Sequence, residues 1–186
     1  GIDVGRVLNI VIRGRDYGLR YAGQPRDFDQ ARELALEHGV TAIVSDALPE
    51  TRLARQFQIS FPQGMVWLCY YSANGTKDVK GFEFNIEDMI ILADRTRTMD
   101  ATMALFRMAA RGEPGATLPA TARDIPDYYK QMCAPERVER KGADGRVTYH
   151  YVERGADHFA HAENYCHLAA QWWLFYQDHK SEHVYN

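Results

Sequence analysis

The chain has 186 residues, 46% apolar, 12% aromatic and 25% charged, with 14 glycines, 7 prolines and a formal net charge of −3. This is globular composition, which excludes disordered, collagen-like and coiled-coil classes, and the length predicts one domain burying roughly 70% of the surface its unfolded form exposes. No apolar run approaches the ~20 residues of a membrane span and no basic stretch leads into an apolar signal core, so a soluble protein with no membrane partner is expected.

The first elements read as an antiparallel meander: short strands at residues 1–5, 7–12 and 18–22, the last two separated by a turn rich in Gly, Arg and Asp. A helix follows, with Asp27 as N-cap, Gln30 completing a capping box and Gly39 at the C-terminus. Residues 40–44 form a β-branched strand that stops at Ser45-Asp46, and a second helix is predicted over 49–59. Residues 65–71 are the most apolar strand candidate and suit a central position. The order β-β-β-α-β-α-β is a meander followed by crossovers, hence a mixed α/β sheet.

After a polar turn at 74–77, Phe82, Phe84 and Ile86 alternate as in a half-buried strand, and a helix is predicted over 94–111. Residues 112–124 read as loop and 125–133 as a short helix. Residues 138–141 and 146–152 flank Gly142-Ala-Asp-Gly145 as a hairpin, and the last helix runs over 157–180.

Cys69, Cys133 and Cys166 are far apart and include no C-x-x-C pair, which fits a reducing compartment rather than a disulfide framework. The first residue is Gly1 and it opens directly into a strand, so the chain is expected to be a piece cut from a longer protein.

Three acidic positions combine into a candidate site. Asp3 lies within an Ile-Asp-Val strand, where an unpaired carboxylate is costly to bury; the competing reading is a solvent-facing terminal Asp. Asp46 ends a strand ahead of a helix, where open α/β sheets gather reactive groups, but it also suits a turn. Glu50 could replace it, although it more simply fits the acidic first turn of a helix. Asp157 is a natural N-cap, and it begins a stripe that continues through His161, Tyr165, Leu168 and Trp172. One carboxylate on the first strand, one ending the fourth and one opening a late helix suit Mg²⁺ or Mn²⁺, and two such ions can cleave phosphodiesters.

The element order, Gly1-Ile-Asp-Val-Gly5, Val44-Ser-Asp46, the inserted hairpin and Asp157-His-Phe-Ala-His-Ala-Glu-Asn-Tyr165 resemble the ribonuclease H-like nucleases. More closely, they resemble the nuclease domain of the large terminase subunit of tailed double-stranded DNA bacteriophages. The resemblance covers nearly the whole chain as one domain, 1–186. It implies an endonuclease that cuts concatemeric viral DNA during packaging. Asp3 would bridge two Mg²⁺ or Mn²⁺ ions, and Asp46 and Asp157 would each complete one, with His158 and His161 as possible neighbours. It also implies action in the cytoplasm of an infected bacterium, absence from the mature virion, and a full-length protein with a packaging ATPase domain, a portal and a small terminase subunit as partners. No G-x-x-x-x-G-K-[ST] occurs, so this chain is not the motor, and alone it is expected to be a monomer.

Two alternatives share parts of this pattern. A resolvase or transposase core would use the same chemistry, and His158, His161, Cys166 and His167 could bind zinc, although their spacing matches neither H-E-x-x-H nor a finger. With a negative net charge, any grip on double-stranded DNA must be local. The candidate groups are Arg137, Arg140, Lys141 and Arg146 on the hairpin, and Arg6, Arg13 and Arg15 near the first strands. The hairpin charges also fit a plainer role in keeping an exposed edge soluble.

Overall fold

In a computed structural model, which describes residues 1–72, 76, 78–142 and 144–180, a seven-stranded mixed sheet carries helices on both faces. The strands are β1 (Ile2–Val4), β2 (Leu8–Arg13), β3 (Leu19–Gly23), β4 (Ile43–Asp46), β5 (Val66–Tyr71), β6 (Phe82–Asn85) and β7 (Ile90–Ala93), in spatial order 3-2-1-4-5-7-6. The meander is as predicted: β1 pairs antiparallel with β2, and β2 with β3. β4, β5 and β7 then add in parallel, which places β1 and β5 inside the sheet. Asn74, Gly75 and Lys77 of the expected polar turn and Ala143 of the expected hairpin turn lie outside the described residues.

One face of the sheet is closed by α1 (Phe28–Glu37) and α2 (Thr51–Ile59). Ile2, Val4, Leu8, Ile10, Ile43 and Val66 alternate along their strands and pack there with Ala31, Ala35, Phe57 and Phe61. Asp27 caps α1 by accepting the Gln30 N–H at 2.9 Å. Gln30 reaches back to the N–H of Arg26 at 2.7 Å rather than to that of Asp27, a capping box displaced by one residue.

The opposite face carries α5 (His158–Lys180). Val44, Trp67, Cys69 and Ile91 point to it and meet Tyr165, Leu168, Ala169 and Trp172. The indoles of Trp67 and Trp172 pack at a tilt of 46° with centroids 4.1 Å apart, and both donate to the Gly64 carbonyl, at 2.9 and 3.0 Å. Each large side chain buried here contributes about 1.5–3 kcal/mol, so α5 is anchored firmly at its middle. Its first turns lie directly over β1: a Cβ at Gly1 would meet the Ala162 carbonyl at 1.9 Å, so only glycine allows this approach.

Between sheet and α5 the chain runs through α3 (Arg95–Ala110), a 3₁₀ turn at Ala120–Asp124, α4 (Tyr128–Met132) and the ribbon β8 (Pro135–Lys141) with β9 (Val147–Glu153). The ribbon is the expected hairpin, longer on the β8 side, and Gly145 takes the positive φ (77°) that its loop requires. It rests on α3 through Asp100, which accepts from Tyr151 Oη at 2.9 Å and from Arg137 Nε at 2.8 Å. Among the described residues no helix is long and apolar enough to cross a membrane.

Candidate active site

Asp3 is buried, with 6% of its surface exposed. It lies on the α5 face because β1 alternates, with Ile2 and Val4 turned to the other side. The parallel pairing of Ile2 with Ser45 sets Asp3 beside Asp46, the last residue of β4. The first turn of α5 brings the third carboxylate: the Asp157 carbonyl accepts the His161 N–H at 3.2 Å, so Asp157 occupies the N-cap position. Asp157 is 4% exposed, and its side chain faces Arg95 and His161.

Two histidines of the first α5 turns link these carboxylates. His158 donates from Nδ1 to Asp3 Oδ2 at 2.9 Å, and this bond, opposed by partial burial, raises the imidazole above its ordinary range. His161 Nε2 lies 3.3 Å from Asp157 Oδ2, and its Nδ1 lies 2.9 Å from the Tyr71 hydroxyl, which also accepts from Asn164 Nδ2 at 2.9 Å. Burial raises the Asp157 carboxyl, but hydrogen bonding and charge from His161, then Arg95 and His158, outweigh it and hold the group below its usual range. Burial pushes the phenols of Tyr71 and Tyr165 up, so both stay neutral donors.

Asp46 behaves in the opposite way. Burial, reinforced by the neighbouring Asp3 charge, pushes its carboxyl up to about 6, against hydrogen bonds from the Leu48 N–H and Tyr165. A carboxylate pair with this much uncompensated charge is what a hard divalent cation relieves, and all three acidic side chains offer the oxygen donors such ions prefer. On that chemistry Asp3, Asp46 and Asp157 fit Mg²⁺ or Mn²⁺. Among the described residues no three His, Cys, Asp or Glu side chains stand close enough to share an ion directly. Instead His158 contacts Asp3, while His161 and Arg95 contact Asp157.

Glu50 is exposed at the N-cap position of α2, makes no capping bond with its side chain and joins none of these contacts. The zinc alternative is not assembled. Cys166 and His167 line a separate cavity, with Arg13 and Trp173, while His158 and His161 face the carboxylates. Burial there lowers His167 to about 4.

The two basic groups fare differently. Arg13 is withdrawn from the surface: its guanidinium, 5% exposed, pairs with Glu163 at 2.6 and 2.7 Å and donates to the Tyr17 and Thr117 carbonyls. Tyr128 donates its hydroxyl to the same buried Glu163. Arg6 is exposed, and Arg15 lies over the Trp173 ring at 5.3 Å. On the hairpin, Arg137 is committed to Asp100 and to the Tyr149 ring at 3.8 Å, whereas Arg140, Lys141 and Arg146 are exposed. Strand alternation sends Arg140 and Lys141 to opposite faces of the ribbon.

The residue that sequence reading missed is Arg95. Its Nη2 lies 3.3 Å from Asp157 Oδ2, 3.1 Å from His161 Nε2 and 3.3 Å from Glu153 Oε1. A signal existed, because Arg95 is the first residue of α3, and a cation at the positive end of a helix dipole is locally unfavourable. Such a mismatch points to a job outside the helix. Compared with protein-family models, with curated proteins and with solved structures, the chain matches none.

Proposed function

We propose that the chain is a divalent-metal-dependent endodeoxyribonuclease with a ribonuclease H-like sheet, of the kind found in the large terminase subunits of tailed phages. The observation that carries this reading is the Asp3–Asp46 pair on the α5 face of the sheet, with Asp157 at the N-cap of α5, one residue before the His158 that bonds Asp3. The strand order 3-2-1-4-5, in which only β2 runs against the other four, supports it.

Asp3, Asp46 and Asp157 would hold the ions, which when bound activate a water and stabilise the leaving oxygen of a phosphodiester. The chain's own residues prepare the ligands. His158 fixes the Asp3 carboxylate through its 2.9 Å bond. Tyr165 fixes Asp46, and Asn164 through Tyr71 fixes His161. The base of the hairpin reaches the site through Glu153, and the exposed Arg140, Lys141 and Arg146 toward its loop end would hold phosphates of a longer DNA segment without reading bases, so cutting is sequence-tolerant. Double-stranded DNA is then the substrate. In a longer chain the domain would act with a packaging ATPase, a portal and a small terminase subunit, in the cytoplasm of the infected cell.

The test is incubation of supercoiled plasmid with the protein in Mn²⁺, Mg²⁺ or EDTA. Nicked and linear products in the metal lanes alone support the reading; intact plasmid in every lane, or cutting that survives EDTA, overturns it.

A further inference from the structure

We propose that Arg95 is the resident cation of the carboxylate site, seated between Asp157 and His161 where a divalent metal binds, and that metal and guanidinium exchange. The inference rests on the nuclease reading above and assigns a role to a residue outside the carboxylate set.

One nitrogen, Arg95 Nη2, faces three acceptors: Glu153 Oε1 from β9 at 3.3 Å, Asp157 Oδ2 at 3.3 Å and His161 Nε2 at 3.1 Å. The negative potential at this point therefore already attracts a cation. The cation in place satisfies it poorly. Nη2 carries two protons for three acceptors, and the distances are long for charge-assisted bonds. Nε has no hydrogen-bond partner, although the side chain as a whole is 32% exposed. His161 Nε2 faces a donor in Arg95 and an acceptor 3.3 Å away in Asp157, so no single tautomer serves both. The α3 dipole adds repulsion, since Arg95 opens that helix.

A metal ion resolves each of these conflicts. It takes carboxylate oxygen and an imidazole lone pair at ~2.1 Å rather than the spacing a guanidinium imposes. The released side chain has somewhere to go. Arg95 also lines an open groove with Arg97, Arg137, Thr148 and Tyr149, where water or a DNA phosphate can receive its charge.

The test is calorimetric titration of Mn²⁺ into the DNA-free chain, comparing wild type with Arg95→Gln and Arg95→Met, each checked for a cooperative thermal transition. Both neutral variants should bind Mn²⁺ about fivefold to tenfold more tightly, the scale of one partly screened opposing charge. Unchanged or weaker binding in the folded variants overturns the proposal. Asp3→Asn separates this from failure of the nuclease reading. Should wild type bind Mn²⁺ in an Asp3-dependent way while Arg95→Gln binds no tighter, only the role of Arg95 falls. If neither wild type nor the Arg95 variants bind Mn²⁺, the nuclease reading fails as well.

Discussion

Asp46 stands beside Asp3 because Ile2 and Ser45 pair in parallel one residue earlier, so both carboxylates enter the same space beneath α5. Two acids placed this way cannot both ionise cheaply in a partly buried setting. The strain falls on Asp46, which burial and the Asp3 charge push up to about 6, while Asp3 keeps its bond to His158.

This gives a stability effect with a definite sign. The folded-state carboxyl of Asp46, at about 6, lies above its ordinary 3.8, so folding disfavours ionisation. The penalty is absent below about pH 4, where both states hold the proton, grows between about pH 4 and 6, and is constant above. Asp46→Asn in EDTA should therefore stabilise the protein at pH 7.5 by on the order of 1–3 kcal/mol, and by almost nothing at pH 4. Urea denaturation across that range measures it, and an offset independent of pH would assign the effect to packing.

The Arg13–Glu163 pair predicts the reverse behaviour for a residue outside the site. Both side chains are almost fully buried, at 5% and 2% exposure, so removing one partner strands the other charge. Glu163→Gln and Arg13→Met should each cost about 3–5 kcal/mol, and the double variant much less than their sum. Chemical denaturation of the three variants checks this; small single effects with simple additivity would mean that water reaches the pair.

Much of this architecture was legible because it is written locally. The meander, both crossovers and the hairpin follow from alternation and turn residues, as do the positions of Asp3 and Asp46 on neighbouring strands and of Asp157 at the start of α5. What escaped was non-local. β7, Ile90–Ala93, is four apolar residues abutting the cap of α3, without the polar alternation that marks a strand. Arg13 looked like a surface cation because its partner lies 150 residues away. The available hint was on the other side: Glu163, between Ala162 and Asn164 on a strongly apolar helix, requires a buried cation.

The grip on DNA should come from the hairpin. Neutralising Arg140 and Lys141 together should weaken binding equally across sequences and reduce the salt slope by about one for each phosphate that is no longer neutralised. Fluorescence anisotropy at several salt concentrations reads both quantities. Unchanged affinity and slope would move the grip to Arg6 and Arg15. Arg137→Ala should chiefly loosen the ribbon from α3, since its charge is spent on Asp100.

Metal should also stabilise the fold, because on the proposed reading it binds the carboxylates of the folded chain and not the unfolded chain. At 100 times its dissociation constant, Mn²⁺ should add about 2.7 kcal/mol, visible as a rise in melting temperature that Asp3→Asn abolishes. A melting temperature indifferent to Mn²⁺ would mean that the carboxylates do not act as one site.

Joint action of Asp3, Asp46 and Asp157 on a phosphodiester is best judged by cleavage of supercoiled plasmid in Mn²⁺. Wild type is compared with Asp3→Asn, Asp46→Asn and Asp157→Asn, each shown to be folded by its thermal transition. Wild type should cut, and every single variant should lose at least ~100-fold in rate, since each carboxylate is needed to hold the ions. An Asp3→Asn protein that folds and cuts as fast as wild type would contradict this.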